Sequence, residues 1–172
     1  MKENLENPLR LTSLNHVSLV CRSLEKSIDF YTNVLGFVPV RRPNSFNFDG
    51  AWLFSYGIGI HLLQSEDPEH MMKKSKIDPK DNHISFQCEI MAMVEKKLKE
   101  MGIECMRQMV EEGGIHVDQL FFHNPDGFMI EICNYDNISI VPLSGEVVRP
   151  CSQVNLKKKM QHQQQQIQVV QP

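Results

Sequence analysis

No apolar run in this sequence approaches the roughly 20 residues needed to cross a bilayer. The opening MKENLENPLR has charges but no apolar stretch behind them, so neither a membrane span nor a secretion signal is expected. Cysteine is sparse and unpatterned: Cys21, Cys88, Cys105, Cys133 and Cys151 are odd in number and lack any CxxC spacing. Most of them sit inside apolar runs, which suits reduced thiols and a cytoplasmic protein. Charge of one sign is also lacking. With 18 Lys and Arg against 21 Asp and Glu, the net charge is −3 and no large basic block stands in the body of the chain, which argues against nucleic acid as the partner. One Trp, three Tyr and nine Phe in 172 residues, with 41% hydrophobic residues, are enough for one core but hardly two.

What is present is organised. Residues 1–11 are polar and turn-rich and read as a loose N-terminal arm. Residues 136–172 read as a C-terminal extension. From about Gly145 it has the Lys157–Lys159 run and a Gln-rich stretch with no packable apolar face, and so is expected to be disordered. Between them lies a repeat: His16-Val-Ser-Leu-Val-Cys21 returns as His83-Ile-Ser-Phe-Gln-Cys88. A helical pattern follows each copy (Leu24, Ile28, Tyr31, Leu35; Met91, Val94, Leu98, Met101), and each helix ends at a glycine, Gly36 or Gly102, suited to the left-handed C′ position.

An extended run then follows in each half (37–41 and 103–109), with a loop containing Gly50 or Gly113-Gly114. Two closing strands complete each unit: 52–56 with 60–63, and 119–123 with 128–133. The sequence thus predicts an α+β domain over 12–135 built from two βαβββ modules, 12–64 and 83–135, joined by a polar connector at 65–82 that is either a lid or a linker.

Side chains alternate along a strand. His16, Ser18 and Val20 therefore share one face, opposite Val17, Leu19 and Cys21, and His83, Ser85 and Gln87 share the matching face of the second copy. In the closing strands Ile60 and Leu62, or Ile130 and Ile132, take the apolar side, which turns His61 and Glu131 to the polar one. Burying a carboxylate in the FMIEIC strand without a cation or donors is costly. If the modules pack about a pseudo-twofold axis, His16, His61, His83 and Glu131 can meet as three imidazoles and one carboxylate. That donor set suits a divalent Zn, Fe, Ni, Co or Mn ion with positions open for water and substrate. His70, His116, His123 and His162 are less well placed and are not expected to be ligands, although His123 could approach the site mouth. Phe46, Phe48 and Trp52 either line a cavity or pack the core, and Arg41, Arg42 and Lys74 are the cations available to an anionic substrate.

The segments NHVSLVC, SLEKSIDFYTNVLGF, DNHISFQ and above all HNPDGFMIEIC resemble the vicinal oxygen chelate superfamily, which includes glyoxalase I, fosfomycin-resistance proteins, extradiol dioxygenases and bleomycin-resistance binding proteins. Within it the chain is most similar to the glyoxalase I-like (lactoylglutathione lyase) proteins of plants. The resemblance implies paired βαβββ modules forming a half-open eight-stranded barrel, metal ligands at His16, His61, His83 and Glu131, a homodimer that sometimes exchanges modules between chains, and a small-molecule substrate.

Two positions depart from glyoxalase I: it has a carboxylate or Gln where this chain has His61, and commonly an Arg for glutathione where this chain has Val20. Three His and one Glu leave a divalent ion with a net +1, which favours anionic substrates and lowers the pKa of bound water. Glu131, or His61 if it leaves the metal, is the candidate base; alternatively His16, His83 and Glu131 hold the ion with His61 beside them as acid or base. The expected activity is a metal-dependent glyoxalase I-like lyase or isomerase acting on a small α-oxo compound or its glutathione adduct. An Fe(II) dioxygenase, a thiol transferase and a non-catalytic ligand-binding protein are the alternatives.

Overall fold

The computed structural model of the chain describes residues 9–112 and 114–135. Residues 1–8 of the expected arm and the whole 136–172 extension lie outside the described residues. The order is β1 (His16–Cys21), α1 (Leu24–Asn33), β2 (Val38–Val40), β3 (Gly50–Ser55), β4 (Ile58–Gln64), then β5 (His83–Gln87), α2 (Met91–Glu100), β6 (Met106–Glu112), β7 (Ile115–His123) and β8 (Met129–Cys133). Each half is a βαβββ module with its own four-stranded sheet, ordered β1-β4-β3-β2 and β5-β8-β7-β6. The first strand of each module lies parallel to the last, and the remaining pairs are antiparallel.

Local chemistry explains the boundaries. Ser23 caps α1, its hydroxyl accepting from Lys26 N. Both helices end at a glycine with positive φ, Gly36 at 73° and Gly102 at 69°. Closing bonds from Ile103 N to Leu98 O and Gly102 N to Lys99 O make the Schellman pattern at α2, and α1 closes one residue wider, from Phe37 N to Tyr31 O and Gly36 N to Thr32 O. β3 and β4 turn over Tyr56 and Gly57, both at positive φ (52° and 78°), as a two-residue turn between twisted strands requires. The sequence pattern placed this turn one or two residues later because Tyr56 is not a residue that advertises positive φ. Its hydroxyl, donating to Leu35 O at 2.7 Å, holds it there.

The apolar faces of the two modules meet each other. Cys21, Tyr31, Phe37, Leu53, Ile60 and Leu62 of the first share one buried cluster with Leu98, Phe122 and Ile130 of the second. Phe86, on the face of β5 opposite His83, packs edge-on against Phe37 and Tyr56. Helix α1 also grips the 124–127 turn of the second module. Asp126 accepts from Arg22 N at 2.8 Å and from Ser27 Oγ at 3.0 Å, and Asn124 bonds the buried Tyr31 hydroxyl. The connector is tied to the same latch: Arg22 donates to Met71 O, Lys74 pairs with Asp81, and a Cβ at Gly127 would strike Lys74 N at 2.8 Å.

Replacing Asp126 with Ala strands the Arg22 amide and the Ser27 hydroxyl in a nearly dry junction. The expected loss is about 2–4 kcal/mol of unfolding free energy, read by urea denaturation, while an unchanged midpoint would remove the latch from the account.

Candidate functional site

The strand registers place the two halves of the site in corresponding positions. His61 lies opposite Ser18 on β1 and Trp52 on β3, and Glu131 lies opposite Ser85 on β5 and Phe121 on β7. His16 and His83 each stand at the start of the first strand of their module. The expected alternation is present: His16, Ser18 and Val20 are exposed while Cys21 is buried, and His83, Ser85 and Gln87 are exposed.

His83 and Glu131 are brought together, Nε2 to Oε2 at 3.2 Å, with the Glu131 side chain only 4% exposed. The His83 Nδ1 lies 2.7 Å from Asp81 O, which can only accept, so Nδ1 carries a proton and Nε2 is the nitrogen that faces the carboxylate. A carboxylate oxygen and an imidazole nitrogen this close share either a proton or a cation. Donors about 2.1 Å from a shared ion stand about 3.0 Å apart at right angles and about 3.4 Å apart at the tetrahedral angle, so the observed spacing fits a divalent metal. The other oxygen of Glu131 accepts from Gln119 Nε2 at 2.6 Å, and Gln119 is held in turn by the Tyr135 hydroxyl at 2.8 Å. A carboxylate oriented by a buried amide is the outer support that metal ligands characteristically have.

The first module offers the other half. His16 Nδ1 donates to Asn15 Oδ1 at 2.8 Å, leaving Nε2 free as a ligand atom. Its ring stacks on His61 (centroids 3.8 Å apart, planes 17° apart), and His61 stacks on Trp52 (4.3 Å, 3°). Gly59 leaves room for the stack: a Cβ there would lie 3.1 Å from His16 Cβ and 3.6 Å from His61 Nε2. Imidazole lone pairs lie in the ring plane, and near-parallel planes do not converge on one ion. As stacked, His16 and His61 therefore do not chelate together. Burial, and then the neighbouring His16, lower the His61 pKa from its ordinary value, so this ring is neutral at neutral pH.

The two halves do not meet within the chain. The histidine pair belongs to the sheet of the first module and the His83–Glu131 pair to the sheet of the second. Among the described residues no group of three or more His, Cys, Asp or Glu could hold a metal ion. Both first strands are sheet edges. Along β5 runs a cleft of about 680 Å³ bordered by His83 and Ser85 and faced by Leu14, Val17 and Tyr56. His123 lies apart, with Lys74 and Glu104 in a smaller cleft of about 360 Å³, and its Nε2 is buried without a partner. Burial raises the pKa of Cys21 and Cys105, so neither is an activated thiol.

Sequence reasoning missed the roles of Gln119, Gly59 and Asn15. The available signal was a buried-strand Gln beside the candidate ligand strand and a Gly where the second module has Met129.

A fold of paired βαβββ units whose closing strand carries a buried carboxylate beside a strand-start histidine defines the class. The family model described as the Glyoxalase/Bleomycin resistance protein/Dioxygenase superfamily matches residues 13–132, and the chain belongs to that superfamily. Among relatives, it is 65% identical over 165 residues to the Arabidopsis thaliana protein Glyoxylase I 4, covering 96% of this chain and 95% of that one. Solved structures of the same fold include a glyoxalase family protein from Bacillus anthracis (TM-score 0.56, 19% identity, 72% of this chain and 95% of that one). They also include the fosfomycin resistance protein FosX from Listeria monocytogenes (TM-score 0.57, 17% identity, 71% and 90%). No helix among the described residues is long and apolar enough to cross a membrane.

Because the folded state resists protonating His61 while the unfolded chain takes that proton near pH 6.5, the unfolded state binds more protons below that value. Stability of the metal-free protein should therefore fall as pH drops through 6.5 and be flat above it. In an NMR titration the His61 ring should ionise at lower pH than a free imidazole; titration at or above 6.5 would contradict the stacked, shielded ring.

Proposed function

We propose that the protein is a metal-dependent glyoxalase I-like lyase that isomerises the hemithioacetal of a small 2-oxoaldehyde to the thioester, the lactoylglutathione lyase type of reaction. In this reading two copies of the chain complete each site, with His16 and His61 of one facing His83 and Glu131 of the other across the β1 and β5 edges. The observation that carries it is the His83–Glu131 pair, spaced as two ligands of one ion are, together with a matching histidine half whose free Nε2 points from the other module. The name of the 65% identical relative supports the reaction class. The pseudo-symmetric registers support a dimer in which the outer polar faces become the inner wall of a half-open eight-stranded barrel.

His16, His83 and Glu131 hold the ion in this scheme, and His61 stands beside it rather than as the fourth ligand. A divalent ion supplies a positive charge that polarises the neighbouring hydroxyl and carbonyl oxygens of the substrate. The isomerisation moves one proton from C1 to C2 with no net change in oxidation state. Glu131 is poorly free to carry it, since one oxygen is tied to Gln119 and the other faces His83. His61, neutral and partly shielded by Trp52, takes that proton and returns it to the adjacent carbon. Trp52 fixes the ring plane and limits water at the reacting carbons.

Purified protein loaded in turn with Zn, Ni, Co, Mn and Fe should convert the methylglyoxal–glutathione hemithioacetal with at least one of them. Glu131→Gln should lower both metal affinity and turnover by at least about 100-fold, as losing a charged ligand does. His61→Ala should keep the metal and lose about 100-fold or more in kcat. Metal-loaded protein without turnover across a panel of 2-oxoaldehyde adducts refutes the lyase reading, and loss of metal from His61→Ala makes His61 a ligand.

A further inference from the structure

The isomerisation makes two demands on hydrogens, and His61 meets only one of them. Turning a hemithioacetal into a thioester moves the C1 hydrogen to C2, and it also moves the hydroxyl hydrogen of C1 to the oxygen on C2. The oxygens therefore need a group beside the His83–Glu131 pair that can give a proton and take one back.

Two hydroxyls stand near that pair. Ser85 lies opposite Glu131 in the strand register, but its Oγ is shared with Cys133 Sγ at 3.3 Å. Tyr135 differs: its oxygen accepts from Gln119 Nε2 at 2.8 Å, and among the described residues none accepts its own proton. Its approach is fixed by Asn134, whose Oδ1 accepts from Asp118 N at 2.8 Å and turns the chain leaving β8 across β7. The residue is 40% exposed, whereas Gln119 and Glu131 behind it are buried.

The Gln119 nitrogen that holds Tyr135 also donates to Glu131 Oε1, at 2.6 Å. The two hydrogens of an amide NH2 point about 120° apart, which sets the Tyr135 oxygen about 4.7 Å from Glu131 Oε1. That gap admits one oxygen atom, about 2.7 Å from the hydroxyl and about 3 Å from the carboxylate, the spacing of neighbouring donors around one ion. Burial raises the Tyr135 pKa, with Glu131 and Cys133 adding to the rise, so the hydroxyl keeps its proton at neutral pH.

We propose that Tyr135 is a further catalytic residue, its hydroxyl giving a proton to the substrate oxygen that becomes negative and recovering one from the neighbouring oxygen. This rests on the glyoxalase-type reading of the centre. When the C1 hydrogen leaves to His61, the electrons of that bond form a C1–C2 double bond, and a pair from the C2 carbonyl passes to its oxygen, which takes the Tyr135 proton. As His61 returns its proton to C2, the C1 hydroxyl gives its hydrogen to the Tyr135 oxygen and C1 becomes the thioester carbonyl. Tyr135 ends as it began, and no oxidant is needed. Gln119, donating to the Tyr135 oxygen throughout, stabilises the transient phenolate.

Full-length protein loaded with Zn or Ni is compared as parent, Tyr135→Phe and Gln119→Leu. The Phe ring keeps the packing and removes the hydroxyl alone. Tyr135→Phe should lose about 100-fold in kcat on the hemithioacetal, with KM and metal affinity within about threefold of the parent, as removal of an acid–base group does. Acetohydroxamate, whose two neighbouring oxygens imitate the enediol, should bind Tyr135→Phe about tenfold more weakly than the parent by calorimetry, the effect of one lost hydrogen bond to a charged group. Gln119→Leu should weaken metal binding by about tenfold or more, which marks what damage to the carboxylate's support looks like. Parental turnover in Tyr135→Phe, hydroxamate binding that is absent from the parent or equal in the two, or metal loss like that of Gln119→Leu overturns the proposal, the last leaving Tyr135 a prop for Gln119. A parent without turnover sinks the lyase reading, and the hydroxamate comparison then decides whether Tyr135 donates to paired oxygens; a parent that turns over beside an unimpaired Tyr135→Phe sinks this residue's role alone.

Discussion

The contact on which the rest depends is the meeting of the apolar sides of the two modules. Each module is a single sheet with one helix, and neither can bury its apolar side alone. The duplicated chain solves this by using each half as the cover for the other: Phe30, Tyr31 and Phe37 of the first module close over Phe86, Phe122 and Ile130 of the second. Strand alternation then leaves no freedom for the remaining side chains. If Phe86 and Ile130 face the core, His83 and Glu131 face away from it, and the same holds for His16 and His61 against Val17 and Ile60. A one-residue slip in any of these strands would exchange the two sets and destroy both core and site together. Stability and chemistry are thus two readings of one register.

That arrangement also explains why the donors stand in two pairs. Within a chain the pairs stand on different sheets, and among the described residues they form no cluster of three or more donors. In the proposed dimer a second copy supplies the other pair. In the His83–Glu131 pair the carboxylate is desolvated, held by Gln119, which Tyr135 holds in turn, and faced by an imidazole nitrogen whose ring is anchored at Asp81 O. Leaving such a group without a counter-charge is costly, which favours a cation beside it. The opposite half contributes orientation. Asn15 fixes the His16 tautomer, and the His16–His61–Trp52 stack fixes the ring planes.

Much of this was legible before any coordinates. The repeat of His-x-Ser-x-x-Cys, the two C-terminal glycines and the alternation of Ile60-His61-Leu62 and Ile130-Glu131-Ile132 give the modules, the helix ends and the faces, because each depends on a period or a backbone angle that a sequence displays directly. The positive φ of Tyr56 was not legible, since the hydrogen bond to Leu35 O that enforces it is a tertiary contact. Nor was the stacking of His61 on His16, which depends on Gly59 lying beside His16 in the parallel register, a spacing between strands rather than along one. Parity could say that His16, His61, His83 and Glu131 share corresponding faces. It could not say on which side of the core each face would lie, because that is decided by how the modules pack.

The central claim is that one site is shared by two chains, and mixing two inactive variants tests it most directly. A His16→Ala protein and a Glu131→Gln protein are each expected to be dead, every site in either homodimer lacking a ligand. In a mixed dimer both lesions fall in one site and the other is intact, so random reassortment of equal amounts should restore roughly a quarter of the parental activity, following from two equivalent sites related by a twofold axis. A mixture as inactive as its parents, with mixed dimers shown to have formed by native mass spectrometry, would contradict the shared site.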